Sequence, residues 1–201
     1  MTSRREIVTA LIRQQMGEGT AFRFRVTSGS MAPLIEVGDS VTVQQISLDE
    51  LRRGDVVVYE DGGTFRVHRL LSIHGELSER LLVTRGDGVF HKDRAWSEGA
   101  LMGKVVAVEK DGREVDLDTP VWRMTNQLLG LVSWVEMLSL ELARRLKRAT
   151  VGDQKLPLTR WGISLLHGPL RLCTKLAAIV WTRQIASRAG KERSLQSNEP
   201  P

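Results

Sequence analysis

The chain contains 201 residues but a single cysteine, Cys173. No disulfide can therefore form within the chain, and a zinc site built from several cysteines is excluded. No H-x-x-x-H spacing occurs, and neither a G-x-x-x-x-G-K-[ST] nor a G-x-G-x-x-G sequence is present. The sequence thus predicts neither metal catalysis nor nucleotide binding. We expect a protein without a metal site or a cofactor.

Long apolar runs are also scarce. The first twenty residues contain none, so we expect neither a cleavable secretory signal nor an N-terminal membrane anchor. Segment 124–142 is interrupted by Asn126, Gln127, Glu136 and Glu141. About 20 consecutive apolar residues are needed to cross a bilayer. Spanning is therefore the weakest interpretation of that segment.

Charge divides the chain into two unlike halves. Residues 1–119 carry 16 Lys and Arg against 19 Asp and Glu, whereas residues 120–201 carry 13 against 5. Four of the five tryptophans also lie in the second half. The hydrophobic fraction of 41% is enough for a real core. Composition therefore predicts a boundary near Pro120.

The first half alternates short apolar segments with Gly-Asp and Asp-Gly turns. The predicted strands cover 22–26, 40–44, 55–59, 64–73, 80–85, 101–110 and 113–117. We interpret residues 21–119 as a compact, mostly antiparallel β domain. A short helix is predicted before it, within residues 1–20. The fold class is therefore mainly β, with a helical appendage at the C-terminal end.

The appendage is predicted to cover residues 120–189, with helices at about 122–148 and 165–188 and a disordered polar tail at 190–201. Tryptophans beside Arg and Lys clusters are typical of helices that lie in a membrane interface. A hairpin that packs on the β domain, or on a partner protein, explains the same pattern. The sequence leaves these alternatives open, and with them a location at a membrane surface or in the cytoplasm.

Ser30 is the first candidate for chemistry. Gly29 permits a tight turn beside it, and Pro33 excludes ordinary helix or central strand, so the Ser30 hydroxyl is offered on a turn. A Ser-Gly-Pro surface loop would have the same composition. The assignment of a nucleophile therefore depends on finding a base elsewhere in the chain.

His68 lies in a predicted strand, pointing away from the face that carries Phe65 and Val67. Neutral imidazole is well suited to accept a serine proton near neutral pH. Asp87 lies in a Gly-flanked turn after another strand, and Asp93 follows six residues later. A carboxylate there could orient the imidazole. Taken singly, a strand histidine and a Gly-Asp-Gly turn are also common structural features.

The ordered segments resemble the signal peptidase I family and its relatives over residues 24–108. The resemblance rests on SGSM (28–31), IEVGDSVTV (35–43), GDVVVY (54–59), VHRLL (67–71) and TRGD (84–87). It implies a β-rich serine endopeptidase that cleaves a leader or signal-type precursor. The histidine at position 68 resembles the endoplasmic-reticulum, archaeal and sporulation-type branch, because the bacterial housekeeping branch has lysine there.

The resemblance also implies roles for individual residues. Ser30 is the expected nucleophile, His68 its base, and Asp87 the third residue of the triad. Asp93 matches a second acidic position, and Ser28 matches a hydroxyl that assists the oxyanion hole. The expected partner is a peptide or protein precursor, and residues 120–189 could contact a membrane surface or a membrane protein.

Two other classes of protein fit parts of the pattern. The basic second half would suit a self-cleaving repressor that binds nucleic acid. Those repressors place a helix-turn-helix before the peptidase domain and use lysine as the base, so nucleic acid is a disfavoured partner. A catalytically idle binding module with the same fold is the other alternative. Labelling of Ser30 by an acylating probe distinguishes the enzyme from an idle module, and salt-sensitive DNA binding without proteolysis would favour the repressor.

Overall fold

The computed structural model describes residues 21–76, 79–89 and 91–151, together with Leu172. Within these ranges the chain forms eight strands and one long helix, with two short 3-10 turns at Leu48–Glu50 and Glu98–Ala100. The strands are β1 (Ala21–Arg25), β2 (Ser40–Gln44), β3 (Val56–Asp61), β4 (Thr64–His74), β5 (Leu81–Arg85), β6 (Trp96–Ser97), β7 (Leu101–Lys110) and β8 (Arg113–Asp116), and the helix is α1 (Pro120–Val151).

The mainly β fold with a C-terminal helix is confirmed. All strand pairs are antiparallel, in the order β1-β2-β7-β3-β4-β5-β6, with β8 on β7. The helix predicted within 1–20 and the tail predicted at 190–201 lie outside the described residues. So does the second predicted helix, apart from Leu172. The division into four segments stays a prediction.

A tight hairpin sets the register between β3 and β4. Gly62 and Gly63 join β3 to β4 with φ angles of 59° and 77°, and the strands close with the pair Asp61 and Thr64. Positive φ at both central residues is the signature of a type I′ turn, which glycine adopts without strain. The hairpin places His68 opposite Val57 in the middle of the sheet.

The sheet is covered on both faces. The larger cluster contains Val41, Val58 and Val108, and Trp122 of α1 is fully buried within it. A second cluster on the other face includes Val57, Leu70 and Leu82. Successive side chains of β3 enter opposite clusters, so both faces of this strand are buried. This explains why β3 is a continuous apolar run in the sequence.

The helix α1 packs on the β domain where two glycines meet, Gly130 of the helix and Gly54 just before β3. A Cβ atom at Gly130 would lie 2.5 Å from the Cα atom of Gly54, and one at Gly54 would collide with the carbonyl oxygen of Asn126. Gly54 also has a φ of 96°, which other residues rarely adopt. Backbone therefore meets backbone at this crossing, and both positions require glycine.

The opposite face of α1 is apolar and exposed. Its outer stripe repeats every three or four residues and consists of Val121, Met124, Leu128, Leu131, Val135, Leu138 and Leu142. The inner face is buried and contains Trp122, Asn126, Leu129, Ser133, Glu136 and Leu140. In the part of the chain that the structure describes, no helix is both long enough and apolar enough to cross a bilayer.

Candidate active site

The turn that carries Ser30 follows β1 directly. The amide of Ala32 donates to the carbonyl oxygen of Gly29 at 3.1 Å, and that of Leu34 donates to Met31 at 3.2 Å. Met31 is 1% exposed and anchors the turn in the core. Ser30 is half-buried, so the turn holds its hydroxyl at the edge of the protein interior, within reach of both solvent and the sheet.

His68 lies beside this hydroxyl. Its Nε2 atom is 3.0 Å from Ser30 Oγ, although the two residues are 38 positions apart in the chain. His68 is 4% exposed, so its ring is fixed by the surrounding strands. The predicted nucleophile and its predicted base are therefore brought together, at a distance that permits proton transfer.

Asp93 contacts the other nitrogen of the imidazole. Asp93 Oδ2 is 2.5 Å from His68 Nδ1 and accepts a hydrogen bond from Thr84 Oγ1 at 2.7 Å. The Asp93 amide donates to the carbonyl oxygen of Thr84 at 2.9 Å, which ties the loop to the end of β5. A proton on Nδ1 leaves Nε2 as an acceptor for the Ser30 hydroxyl.

The surroundings of Asp93 favour its ionised form. Burial raises the pKa of this carboxyl, but the hydrogen bond and charge of His68, with hydrogen bonds from Thr84 and Tyr59, outweigh it and hold the pKa below its ordinary value of 3.8. Burial also raises the pKa of Tyr59, so its phenol keeps the proton that it donates. Asp93 is thus a carboxylate at neutral pH.

The structure does not bring Asp87 to His68. Asp87 instead accepts two hydrogen bonds from Arg69, at 2.8 Å from Nε and 2.6 Å from Nη2, and both side chains are fully buried. The expectation that Asp87 is the third residue of the triad is therefore corrected. The carboxylate that lies beside the His68 ring belongs to Asp93, expected only as a second acidic position, while both oxygens of Asp87 contact Arg69.

The Gly-Asp-Gly turn has a packing role as well. A Cβ atom at Gly86 would lie 2.5 Å from the carbonyl oxygen of Ser30 and 3.1 Å from His68 Nε2. The amide of Gly88 donates to the same carbonyl oxygen at 2.8 Å. The loop after β5 therefore lies directly against the serine turn, and glycine at position 86 makes this approach possible.

Ser28 also lies at the site. Its hydroxyl oxygen is 3.4 Å from Ser30 Oγ, on the exposed side of the turn. This places a second hydroxyl near the position that a substrate carbonyl bonded to Ser30 would occupy. In the described part of the chain, no group of three or more His, Cys, Asp or Glu side chains has the arrangement of a metal site.

Three residues that support the site, Thr84, Trp96 and Tyr59, were not among those predicted from the sequence. Thr84 holds Asp93, and Trp96 in turn donates from Nε1 to Thr84 Oγ1 at 3.1 Å. The Trp96 ring stacks on Tyr59 at a centroid distance of 4.3 Å and an interplanar angle of 7°. Thr84 stood within the TRGD segment and could have been found there, whereas no local signal linked Trp96 to Tyr59.

Comparison with known proteins supports the same assignment of family. Residues 4–84 match the family described as S24-like peptidases. The chain is 45% identical over 65 residues to the signal peptidase complex catalytic subunit SEC11 of Lodderomyces elongisporus. Over these residues the chain is similar to the S24-like peptidases and to that catalytic subunit. The S24-like match includes Ser30 and His68 and ends before Asp87 and Asp93.

The likeness to SEC11 is limited in extent. It covers 31% of this chain and 38% of the relative. The chain therefore matches well under half of that relative, and α1 lies beyond the residues that match the S24-like peptidases.

Proposed function

We propose that this protein is a serine endopeptidase that cleaves leader or signal-type precursors through an acyl-enzyme. The observation that supports this proposal is the continuous line of contacts from Ser30 Oγ to His68 Nε2 at 3.0 Å and from His68 Nδ1 to Asp93 Oδ2 at 2.5 Å. A nucleophile, a base and an orienting carboxylate in this order form the arrangement that activates serine in unrelated peptidases.

The steps follow from the positions of the protons. His68 Nε2 accepts the Ser30 proton as Oγ bonds to the carbonyl carbon of the scissile peptide. His68 then donates that proton to the leaving amine as the C–N bond breaks, and an acyl-serine remains. Water, deprotonated by His68, attacks the acyl carbon and releases Ser30 with its proton. Asp93 stays ionised throughout and stabilises the imidazolium.

The oxyanion of the tetrahedral intermediate needs donors close to Ser30. We assign this role to the Ser30 amide and the Ser28 hydroxyl, which lies 3.4 Å from Ser30 Oγ. One such donor is worth about 2.7–4 kcal/mol of transition-state stabilisation in serine peptidases. We therefore expect Ser28 to affect the rate of acylation more than the folding of the protein.

The substrate is assigned by chemistry and by family. The proposed partner is an extended peptide segment of a precursor protein, and no nucleic acid or cofactor is required for the reaction.

We place the reaction at a membrane surface, since the outer stripe of α1 exposes seven large apolar side chains. Four basic residues follow that stripe in the sequence, Arg144, Arg145, Lys147 and Arg148.

A serine-directed acylating probe tests the enzyme assignment. The wild-type protein should be labelled at Ser30, and labelling should be lost in Ser30→Ala and in His68→Ala. Ser72→Ala, which alters a β4 serine hydrogen-bonded to His74 instead, serves as the matched control and should label normally. Labelling that survives His68→Ala would overturn the base assignment. Salt-sensitive DNA binding without proteolysis would favour the repressor alternative.

The class of substrate is tested separately. Mass spectrometry of protein N-termini in membrane and secreted fractions, with wild type and with Ser30→Ala, should show precursors that stay uncut only in the variant. A probe-reactive enzyme that leaves all such N-termini unchanged would retain the serine mechanism and overturn the proposed substrate class.

A further inference from the structure

Two buried arginines lie side by side behind the site. Arg69 of β4 and Arg85 of β5 are paired residues in the antiparallel register, and their exposed fractions are 0% and 2%. Arg69 follows His68 and Arg85 follows Thr84 in the sequence. Because successive strand residues point to opposite faces, each arginine lies behind a residue that serves the site.

Two adjacent buried cations are unfavourable unless each is neutralised. Asp87 neutralises Arg69 from the loop after β5. Glu136 neutralises Arg85 from the inner face of α1, with 2.9 Å between Arg85 Nη1 and Glu136 Oε2. The side chains of Arg85 and Glu136 are 2% and 3% exposed, so water contributes little to either charge.

Arg85 also holds the loop that carries Asp93. Its Nε atom donates to the carbonyl oxygen of Val89 at 2.8 Å. On either side of Arg85 in the sequence, Thr84 bonds Asp93 and Gly86 lies against the Ser30 turn. The orientation of the Arg85 side chain therefore affects both the Thr84–Asp93 hydrogen bond and the contact of Gly86 with the Ser30 turn.

We propose that Glu136 of α1 is a positioning residue for the peptidase site. It acts through Arg85, whose guanidinium ties the helix to the loop between Gly86 and Asp93. This inference rests on the proposed function and extends it, because it makes a helix outside the S24-like match part of the active enzyme. The substrate does not touch Glu136; the distance between Asp93 and His68 depends on it.

Loss of the Glu136 charge has a physical consequence at the loop. Arg85 would lose the carboxylate that neutralises it, and the buried guanidinium would then shift towards water or towards another acid. Either movement withdraws Nε from Val89 and loosens the loop. A misplacement of about 1 Å can cost roughly 100-fold in rate, so we expect a 10- to 100-fold slower acylation. Substrate affinity should change little. The variant should therefore have a much lower kcat and a nearly unchanged KM.

The main variant is Glu136→Gln, which keeps the shape and removes the charge. Its matched control is Glu141→Gln on the same helix. The Glu141 side chain is 43% exposed, and its ion pair with Lys92 is long, at 3.8 Å. Glu136→Gln should label Ser30 at least tenfold more slowly, and Glu141→Gln should label within twofold of wild type. Wild-type labelling in Glu136→Gln would overturn the proposal.

A second variant separates positioning from stability. Arg85→Met combined with Glu136→Leu removes both buried charges and should restore the thermal midpoint even if Glu136→Gln unfolds. It also removes the donor to Val89, so labelling should stay slow. Recovery of the labelling rate together with the midpoint would show a role in stability alone and would overturn the proposal.

A third readout does not depend on activity. The proton shared by His68 Nδ1 and Asp93 should give a downfield NMR signal that is absent in Asp93→Asn. Glu136→Gln should shift or lose this signal while Glu141→Gln keeps it. If the wild type is not labelled but the signal responds in this way, the proposed function fails and the positioning role stands. An unchanged signal in Glu136→Gln overturns the positioning role.

Discussion

Gly86 lies so close to Ser30 that a Cβ atom on it would be 2.5 Å from the Ser30 carbonyl oxygen. The same atom would be 3.1 Å from His68 Nε2. Ser30, His68 and the loop after β5 therefore meet at one position where only a hydrogen atom fits. This contact explains a glycine at position 86 without any requirement for an unusual φ angle.

We predict that Gly86→Ala slows acylation of Ser30 by roughly 10- to 100-fold, because the loop must move by a large fraction of an ångström. Gly99→Ala is the matched control, since nothing lies within 4 Å of a Cβ atom there. Labelling rates with the acylating probe measure the effect. Equal rates in the two variants would show that the loop adjusts without disturbing the site.

Asp93→Asn should reduce acylation by about 10³- to 10⁴-fold while the protein stays folded. The amide cannot stabilise the imidazolium and can force the wrong imidazole tautomer, because its NH2 group donates where the carboxylate accepted. The rate of Ser30 labelling, with the circular dichroism spectrum as the check on folding, provides the measurement. A loss smaller than tenfold would contradict the assignment of Asp93.

Asp87→Asn should act on stability first. It leaves Arg69 fully buried with a neutral partner, and breaking a buried ion pair costs about 3–5 kcal/mol. Urea unfolding measures this free energy. Asp61→Asn is a suitable control, because the Asp61 pair with Arg66 is about half exposed and should contribute little. An unchanged free energy of unfolding in Asp87→Asn would contradict the structural role.

The lowered pKa of Asp93 predicts a pH dependence of stability. Because the folded-state pKa lies below the ordinary 3.8, the unfolded chain binds the proton more readily. The stabilisation by ionised Asp93 is complete well above pH 3.8 and is lost as the pH falls through the folded pKa. The difference in unfolding free energy between wild type and Asp93→Asn should therefore shrink in acid. A difference that grows below pH 3.8 would contradict this sign.

The outer stripe of α1 predicts binding to an anionic lipid surface. The helix has no charged residue between Arg123 and Glu136, and a basic cluster follows the stripe. Leu131→Gln with Leu138→Gln should reduce co-sedimentation with vesicles that contain phosphatidylserine. Val37→Gln, at an apolar side chain that is 64% exposed elsewhere, is the control. A concentration-dependent dimer that these leucine substitutions dissolve, without lipid binding, would assign the stripe to protein contact.

Much of the β domain was predictable because its signals are local. The Gly62-Gly63 turn and the apolar alternation around it specify a hairpin, and that hairpin carries His68 to the middle of the sheet. Short ordered motifs also predicted that Ser30 and His68 act together, and the two side chains do lie 3.0 Å apart. Turn geometry and strand periodicity depend on neighbouring residues, so one sequence is enough to predict them.

The choice between Asp87 and Asp93 could not be made in this way. Both are loop carboxylates close to the same strand end, and spacing does not say which one faces the imidazole. The two-point pairing of Asp87 with Arg69, across 18 positions, settles their arrangement in the folded chain. The ion pair between Arg85 and Glu136, which are 51 residues apart in the sequence, likewise forms only once α1 has packed on the sheet.

The sequence by itself determined seven of the eight strands, the turns between them, the serine turn and the histidine strand, because each depends on contacts within a few residues; the two-residue strand β6 was missed. The tertiary structure alone decided which carboxylate serves His68 and which residues support it. Burial forces every charge to find a partner, and with Arg69 and Arg85 both buried, Asp87 and Glu136 are held behind the sheet while Asp93 lies at the imidazole.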